Sequence, residues 1–338
     1  MIINIFTYED IKSDRQLYFD LGISFFKKNN PEKSIDYLYA AISEQNVLAG
    51  PSDTEINIAL GNSLFQKGNY AESIKKFLNT SLQTPEYFSS ILKGVSDHLN
   101  DQIFNSLTDW IDKEWKPEAE KIPLTGMMSD GLQHFWAVYD FFKGNYEKSE
   151  TLFTSLLNKN AEDYRALKGL GSIYLKQGIF SKAERYFTIA KSFSTSNSIF
   201  HNSLSTDLIH LFLQSRKYQE AYEEIKNNFK STEDVDQLKY LEVKALYGLK
   251  KYNEANDLVN QLMLKESLAT NIEYHIIRVK ICLANHEYQK ALSLIELAYQ
   301  ADAINKDLLF LKVQTLIEGQ INVEEGKMLF TEDKYGYL

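Results

Sequence analysis

One pair of residues has the types and the spacing that nucleophilic catalysis requires. Cys282 is the only cysteine in the chain, and His286 follows it by four residues, which would place both on one face of a helix. A catalytic cysteine needs a neighbouring base and surroundings that favour its thiolate. Cys282 instead lies in an apolar helical pattern with Ile276, Val279 and Leu283, where a free cysteine behaves as a small buried hydrophobic residue. We therefore expect Cys282 to pack in the core, and we predict no catalytic residue.

The sequence shows no pattern for a metal or phosphate site. The six histidines, at positions 98, 134, 201, 210, 275 and 286, lack metal-ligand spacing, and the lone cysteine has no thiol partner for zinc. The run 168–172 (KGLGS) superficially resembles a phosphate loop, but it lies inside a helical pattern in which Gly171 would allow close packing. The 46 acidic residues are scattered over positions expected to be exposed. The sequence thus predicts no metal, no cofactor and no enzyme.

Composition and charge narrow the class of partner. The chain has 338 residues, a net charge of -9 and a pI of about 5.3, which disfavours general binding to nucleic acid. The single cysteine is typical of a reducing compartment, no apolar run has the length of a membrane span, and residues 1–10 make a poor secretory signal. We predict a cytoplasmic protein without a membrane span, and the Lys, Asn and Ile usage favours a bacterial source.

One short phrase recurs along the chain. It consists of a Lys, Gln or Asn cluster, often with Gly-Asn, then an aromatic residue (Pro31 in the first copy), two polar residues, and Ser or Ala. The final small residues stand at 34, 73, 149, 183, 221, 255 and 291, so the phrase returns every 34 to 39 residues apart from one interval of 76. The long interval predicts a degenerate unit around residues 104–115. Self-similarity at such a period is typical of helical repeat proteins.

Each phrase has the features of a helix-turn-helix unit. Gly or Asn can take the left-handed conformation that ends a helix, and the aromatic residue then begins the next helix. The small residue lies one turn further on, where two helices could approach closely. Apolar residues at helical spacing precede and follow the phrase, as at Leu60, Leu64 and Phe77.

These units resemble the tetratricopeptide repeat family. Its consensus runs Trp, two residues, Leu-Gly, two residues and Tyr, then Ala, three residues and Phe, then Ala and Pro. The unit that matches best contains Leu167, Leu170, Gly171, Tyr174, Ala183, Phe187 and Ala190. The resemblance covers most of residues 13–300 and implies an all-α, right-handed superhelical solenoid of about eight helix-turn-helix repeats.

The repeats and the irregular interval divide the chain into four predicted segments. In order, these are N-terminal repeats, a degenerate repeat with a Pro-flanked loop, further repeats, and capping helices with a tail: 1–85, 86–129, 130–300 and 301–338. Pro117 and Pro123 bracket the polar stretch 118–121, which predicts the loop. This second segment could act as a hinge between two subarrays.

The resemblance also implies where a partner would bind, because the first helix of each tetratricopeptide repeat lines the concave face. The implied contact residues are Phe19, Phe26, Asn62, Phe65, Phe141, Arg165, Lys168, Lys176, Tyr240, Lys244, Tyr247 and Lys280. The early members are mostly aromatic, whereas the later ones include five basic residues on an acidic chain. Such a basic strip would suit an acidic peptide or a C-terminal carboxylate. Alternatively, the phenylalanines pack between helices and the lysines are merely solvated.

The sequence favours a protein–protein interaction scaffold or adaptor that holds a peptide or a partner protein in its concave groove. The alternative is a regulator that responds to a peptide or to assembly by changing the curvature of its superhelix. Phe19 and Ile23 stand where chaperone-binding repeat proteins carry a Lys and an Asn, so a carboxylate clamp of that kind is not expected. Fold alone leaves the partner and the oligomeric state open.

Overall fold

The computed structural model describes most of the chain, and its regular secondary structure is helical throughout the described ranges. Those ranges are 14–44, 50–84, 87–122, 127–194, 199–228, 235–265, 271–299 and 305–331. The predicted all-α repeat fold is confirmed. Pro123 and the predicted tail beyond 331 lie outside the described residues.

The chain divides into two compact units, residues 1–173 and 174–338. In the first unit, α1 pairs with α2, α3 with α4, and α8 with α9. Its helices, the last of which crosses the unit boundary, are α1 (Asp14–Lys27), α2 (Pro31–Ser43), α3 (Asp53–Gln66), α4 (Tyr70–Gln83), α5 (Phe88–His98), α6 (Asp101–Trp110), a π-helical turn (Ile111–Trp115), α7 (Lys116–Ala119), α8 (Met127–Phe142), α9 (Tyr146–Lys159) and α10 (Tyr164–Lys176).

The second unit continues the same alternation of first and second helices. Its elements are α11 (Phe180–Ser192), α12 (Ile199–Gln214), α13 (Tyr218–Asn228), α14 (Val235–Gly248), α15 (Tyr252–Met263), α16 (Ile272–Ala284), α17 (Tyr288–Tyr299), α18 (Lys306–Glu318) and α19 (Val323–Thr331). The hairpins are α12 with α13, α14 with α15, α16 with α17, and α18 with α19. None of the helices in the described ranges is long and apolar enough to cross a membrane.

The recurring phrase forms the turn inside each hairpin. The residue two positions before the second helix has a φ between 56° and 85°, at Asn29, Gly68, Gly144, Gly178, Arg216, Lys250 and His286. The aromatic residue of each complete phrase is the first residue of the second helix, as predicted. The left-handed conformation at Arg216 costs about 1 kcal/mol without glycine. It is held by the next residue, since Lys217 donates its N–H to the carbonyl of Phe212 at 2.8 Å.

The small residue of the phrase lies at the closest approach of the two helices, as predicted. Ser34, Ser73 and Ser149 are fully buried. Each hydroxyl donates to the carbonyl oxygen twelve residues earlier, at 2.7, 2.8 and 2.7 Å respectively. This bond between the helices was not predicted from the sequence. In the second unit alanine takes the same place, so only the small size is common to both units.

The irregular segment of the first unit is organised around Trp115. α5 packs directly against α8, and the approach is so close that a Cβ on Gly131 would lie 2.5 Å from Cα of Ser89. Trp115 lies at the end of the π-helical turn and is buried between α4 and α8. Its Nε1 donates to the carbonyl of Leu78 at 2.9 Å, and its ring meets the ring of Phe135 with centroids 5.0 Å apart. The degenerate unit is therefore helical, but its packing differs from that of an ordinary hairpin.

The loop predicted between Pro117 and Pro123 begins later than expected. Pro117 lies in the first turn of α7, and the helix ends at Ala119 before the turn at 120–122. The prediction that residues 118–121 form a loop is thus wrong for 118 and 119.

Asp112 fastens the π-helical turn to α8. Its carboxylate accepts hydrogen bonds from the Tyr139 hydroxyl and the Lys143 ammonium, both at 2.6 Å. These bonds hold the irregular segment within the first unit. A hinge role for 86–129 stays a prediction.

Candidate functional site

The first unit contains an open, largely apolar cavity of about 430 Å³, which we call the first-unit cavity. Its walls come from the end of α1 and from α3, α4 and α5. The residues that shape it most include Phe26, Ile58, Asn62, Phe65, Phe77, Gly94 and His98. A cavity of this volume is in the range of small-ligand sites and can hold one or two large side chains.

Three of the sequence-predicted contact residues meet in this cavity: Phe26, Asn62 and Phe65. The ring of Phe65 is wedged between Tyr70 and His98, with centroids 4.8 and 4.7 Å away. Such ring contacts fix the orientation of the cavity wall. Asn62 is exposed at the mouth of the cavity. The sequence therefore identified the floor and mouth through repeat positions, but it missed the wall from α5.

Gly94 is the residue of that wall whose substitution has the most predictable effect on the cavity. A Cβ built on Gly94 would meet no atom within 4 Å, and its φ is not in the left-handed region. A larger side chain at this position would project into free space in the cavity. The sequence carried no signal for this role, because α5 belongs to the unit that departs most from the consensus.

Two predicted aromatic contacts lie elsewhere. Phe19 packs against the buried cluster formed by α2 and α3, which includes Leu38 and Leu60. Phe141 meets the rings of Phe142 and Tyr146, with centroids 5.2 and 5.8 Å away. Both side chains therefore contribute to packing between helices.

Two of the predicted basic residues on α10 interact with the carboxylate of Asp97. Arg165 forms an ion pair with Asp97, with Nε and Oδ2 2.9 Å apart, and it donates to the Tyr164 hydroxyl at 2.8 Å. Lys168 adds positive charge near the same Asp97 carboxylate. Lys176, the last residue of α10, is exposed. No pattern in the sequence pointed to Asp97, because it lies 68 residues from Arg165 in the chain.

His134 lies on the first helix of its hairpin but is buried. Its ring lies 5.7 Å from that of Phe153, and neither ring nitrogen has a hydrogen-bond partner among the described residues. Burial, with smaller contributions from the charges of Arg165 and Lys93, lowers its pKa from 6.5 to about 3.

Because of this histidine, we expect the free energy of unfolding to decrease as the pH decreases. In the unfolded chain His134 binds a proton below about pH 6.5, whereas in the folded protein it does so only near pH 3. The folded state therefore loses stability as the pH falls from 6.5 toward 3. The loss from pH 7 to pH 5 should be about 2 kcal/mol. His134→Leu should abolish this loss and, by removing an unsatisfied buried polar group, stabilise the protein at pH 7 by about 1 kcal/mol.

Urea unfolding at both pH values measures the effect. An identical pH dependence in His134→Leu and the wild type would contradict the prediction.

The second unit contains a wider cavity of about 600 Å³, which we call the second-unit groove. It runs over the first helices α14, α16 and α18, and is lined by Tyr247, Lys280, Leu283, Ala284, Asp307, Phe310, Leu311, Gln314 and Glu318. Tyr247 and Lys280 were predicted as contact residues. The α18 residues were missed, because the sequence placed them in a capping pair.

Tyr240 and Lys244 precede Tyr247 on α14 and are tied to neighbouring groups. The Lys244 ammonium lies over the Tyr240 ring, 4.5 Å from its centroid. The Tyr240 hydroxyl is 3.0 Å from a carboxylate oxygen of Glu273, to which it donates a hydrogen bond. Burial and this nearby negative charge raise the pKa of Tyr240. Lys244 thus contacts the ring of a tyrosine whose hydroxyl bonds to the next first helix, α16.

Cys282 packs in the core, as the sequence predicted. It belongs to a buried cluster with Val279 and Ile295, and burial raises the pKa of its thiol. His286 lies instead within 2.9 Å of the Tyr288 hydroxyl, through its Nδ1. Within the described ranges, no group of three or more His, Cys, Asp or Glu side chains is arranged to hold a metal ion.

Repeated helical hairpins with two grooves on their first helices define an all-α repeat protein. In a comparison with models of known protein families, the tetratricopeptide repeat model matches residues 14–86 and 136–197. These ranges correspond to α1–α4 and to part of α8 together with α9–α11. The chain thus contains tetratricopeptide repeats in these two ranges, and proteins of the tetratricopeptide repeat family generally mediate protein–protein interaction and are typically non-enzymatic.

Individual similar proteins are distant. The apo form of RapI has a similar fold, with a TM-score of 0.51 and 10% identity over 93% of this chain and 84% of that one. A tetratricopeptide repeat protein from Parabacteroides merdae gives a TM-score of 0.45 and 15% identity over 90% of this chain and 99% of that one. Anaphase-promoting complex subunit 3 of Schizosaccharomyces pombe is 27% identical over 157 residues, which are 46% of this chain and 23% of that protein. The match thus spans less than a quarter of that relative.

Proposed function

We propose that this protein is an interaction adaptor that binds a peptide segment of a partner through the first-unit cavity. The observation that carries the proposal is the shape and chemistry of that cavity. The cavity is open to solvent at Asn62 and Gln66, whereas apolar and aromatic side chains form its deeper walls. Such a site accepts an apolar anchor side chain while polar groups at the rim bond the ligand backbone.

The lining of the cavity favours an uncharged anchor. None of its lining residues in the described part of the chain is Asp, Glu, Lys or Arg. Arg165, which the sequence marked as a contact for an acidic ligand, is paired with Asp97. We therefore assign selection in the first unit to the apolar shape of the anchor, such as leucine or phenylalanine, rather than to its charge.

Gly94→Leu is expected to close the cavity without damaging the fold. The new side chain would enter free space, and replacing a helical glycine removes a cost of about 1 kcal/mol. Peptides are selected on the wild-type chain from a phage-displayed random library. Those with an uncharged apolar anchor and no flanking lysine or arginine should bind Gly94→Leu at least about tenfold more weakly, since an excluded anchor costs 1.4 kcal/mol or more. Fluorescence anisotropy with the labelled peptides measures the affinity.

Gly94→Ala is the matched control. It gives the same gain in helix propensity, but its methyl group leaves most of the cavity open, so affinity should stay within about twofold. Thermal unfolding of both variants checks that they are as stable as the wild type or more so. Equal affinity of the selected peptides for wild type and Gly94→Leu would refute binding in this cavity.

A further inference from the structure

We propose that the second-unit groove is a separate binding site, and that its ligand is a polypeptide segment with basic side chains on either side of an apolar one. This site shares no residue with the first-unit cavity, and the proposal stands whether or not that cavity binds a peptide.

The recognition surface is one stripe of α18. Asp307, Phe310, Gln314 and Glu318 follow one another at helical spacing and all line the groove. The two carboxyl-bearing residues stand eleven positions apart, about 16 Å along the helix axis. An extended segment covers that length with about five residues. The groove therefore suits a short extended segment that lies along α18 and meets an acidic residue near each end.

Phe310 provides the apolar contact between the two acidic ends. It is 53% exposed, although large aromatic side chains are normally mostly buried in folded proteins. Leu283 and Leu311 line the groove beside it. An apolar side chain of the ligand would cover this exposed ring, and aromatic residues in such positions commonly carry much of the binding energy.

The charge of the groove selects the flanking residues of the ligand. Two carboxylates, of Asp307 and Glu318, face the single ammonium of Lys280. Among the described residues no ion pair within 4 Å involves any of these three, and Glu318 accepts one hydrogen bond, from Gln314 at 2.9 Å. The groove is therefore net negative, and complementarity favours lysine or arginine in the ligand. Sequence positions alone had suggested an acidic ligand, because the acids of α18 were not assigned to the groove.

The test is a peptide selection on the full-length chain carrying Gly94→Leu, which leaves the first-unit cavity closed. A phage-displayed random dodecapeptide library is panned on this bait, and the enriched peptides are synthesised with a fluorescent label. We expect enrichment of sequences with lysine or arginine four to six positions apart around an apolar residue. These peptides should bind Asp307→Asn/Glu318→Gln about tenfold more weakly, and Phe310→Ser likewise, whereas Lys280→Gln should bind at least as tightly as the bait.

All four substituted positions are at least partly exposed, so the folded state should persist, and circular dichroism checks it. Enrichment of acidic peptides, or the absence of any enrichment, overturns the proposal. So does a set of basic peptides that binds the Asp307→Asn/Glu318→Gln variant as tightly as the bait. A negative result at the second-unit groove would not affect the Gly94→Leu prediction, because that experiment measures peptides whose binding weakens when the first-unit cavity is closed.

Discussion

Trp115→Ala is expected to lower the free energy of unfolding around the irregular segment by about 4 kcal/mol. The indole is 1% exposed and fills the space between α4 and α8. Its removal takes away ring contacts with Phe135 and Trp136, whose centroids are 5.0 and 5.8 Å away. The close approach of α5 to α8 prevents these helices from collapsing into the space, so most of the cavity should remain. Hydrogen exchange of α4 and α8 in the full chain measures the local loss.

Trp110→Ala is the matched control for this prediction. It removes the same side chain five residues earlier, where the ring is only partly buried and lies beneath the Lys75 ammonium at 5.6 Å. A loss of about 1 kcal/mol is expected there. Trp115→Phe should cost about 1–2 kcal/mol, because Leu78 keeps a second hydrogen bond from the Ser81 hydroxyl. Equal losses for Trp110→Ala and Trp115→Ala would show that Trp115 is not the centre of this segment.

Arg15→Met should release α1 from α3 at a cost of about 3 kcal/mol. The Arg15 side chain is only 2% exposed and joins three groups that follow α2 in the chain. Its Nε donates to the Pro51 carbonyl at 2.9 Å and one terminal nitrogen to the Glu44 carbonyl at 3.0 Å, while the other pairs with the Asp53 carboxylate. Methionine keeps the apolar stem but leaves the partly buried carbonyls without their donor. Hydrogen exchange of α1 and α2 in the full chain should speed up accordingly.

Asp53→Asn separates the ion pair from the carbonyl bonds. The Asp53 side chain is 66% exposed, so solvent screens its attraction to Arg15, and its replacement should cost less than about 1 kcal/mol. If Asp53→Asn were as damaging as Arg15→Met, the ion pair rather than the two backbone contacts would hold α1 in place. If hydrogen exchange of α1 and α2 in both variants equalled that of the wild type, neither the ion pair nor the carbonyl hydrogen bonds would hold α1 in place.

The site illustrates why only part of it could be predicted. Phe26, Asn62 and Phe65 were found because each repeat places the same positions on its first helix, so register along the chain becomes position in space. Phe141 stands at the repeat position of Phe65 and Phe19 at that of Ile58, which also lines the cavity, yet both phenylalanines pack against neighbouring helices. The difference depends on which helix follows, and a repeat consensus contains no such information. The proposed change of superhelix curvature and the cytoplasmic location likewise stay predictions.

The sequence by itself determined the local units of this protein: where each hairpin turns, where its second helix begins, and which small residue permits close packing. These features depend on backbone conformations and contacts within about a dozen residues, and their signal recurs with the repeat. Tertiary structure alone decided the pairing of α5 with α8, the burial of Arg15, the ion pair of Arg165 with Asp97, and the charge of the second-unit groove. Asp97 neutralises Arg165 across 68 residues, and Asp307 and Glu318 reach the groove from a helix that the repeat pattern assigned to the cap. Charge and shape at a groove are sums over helices distant in the chain, so spacing within one repeat cannot specify them.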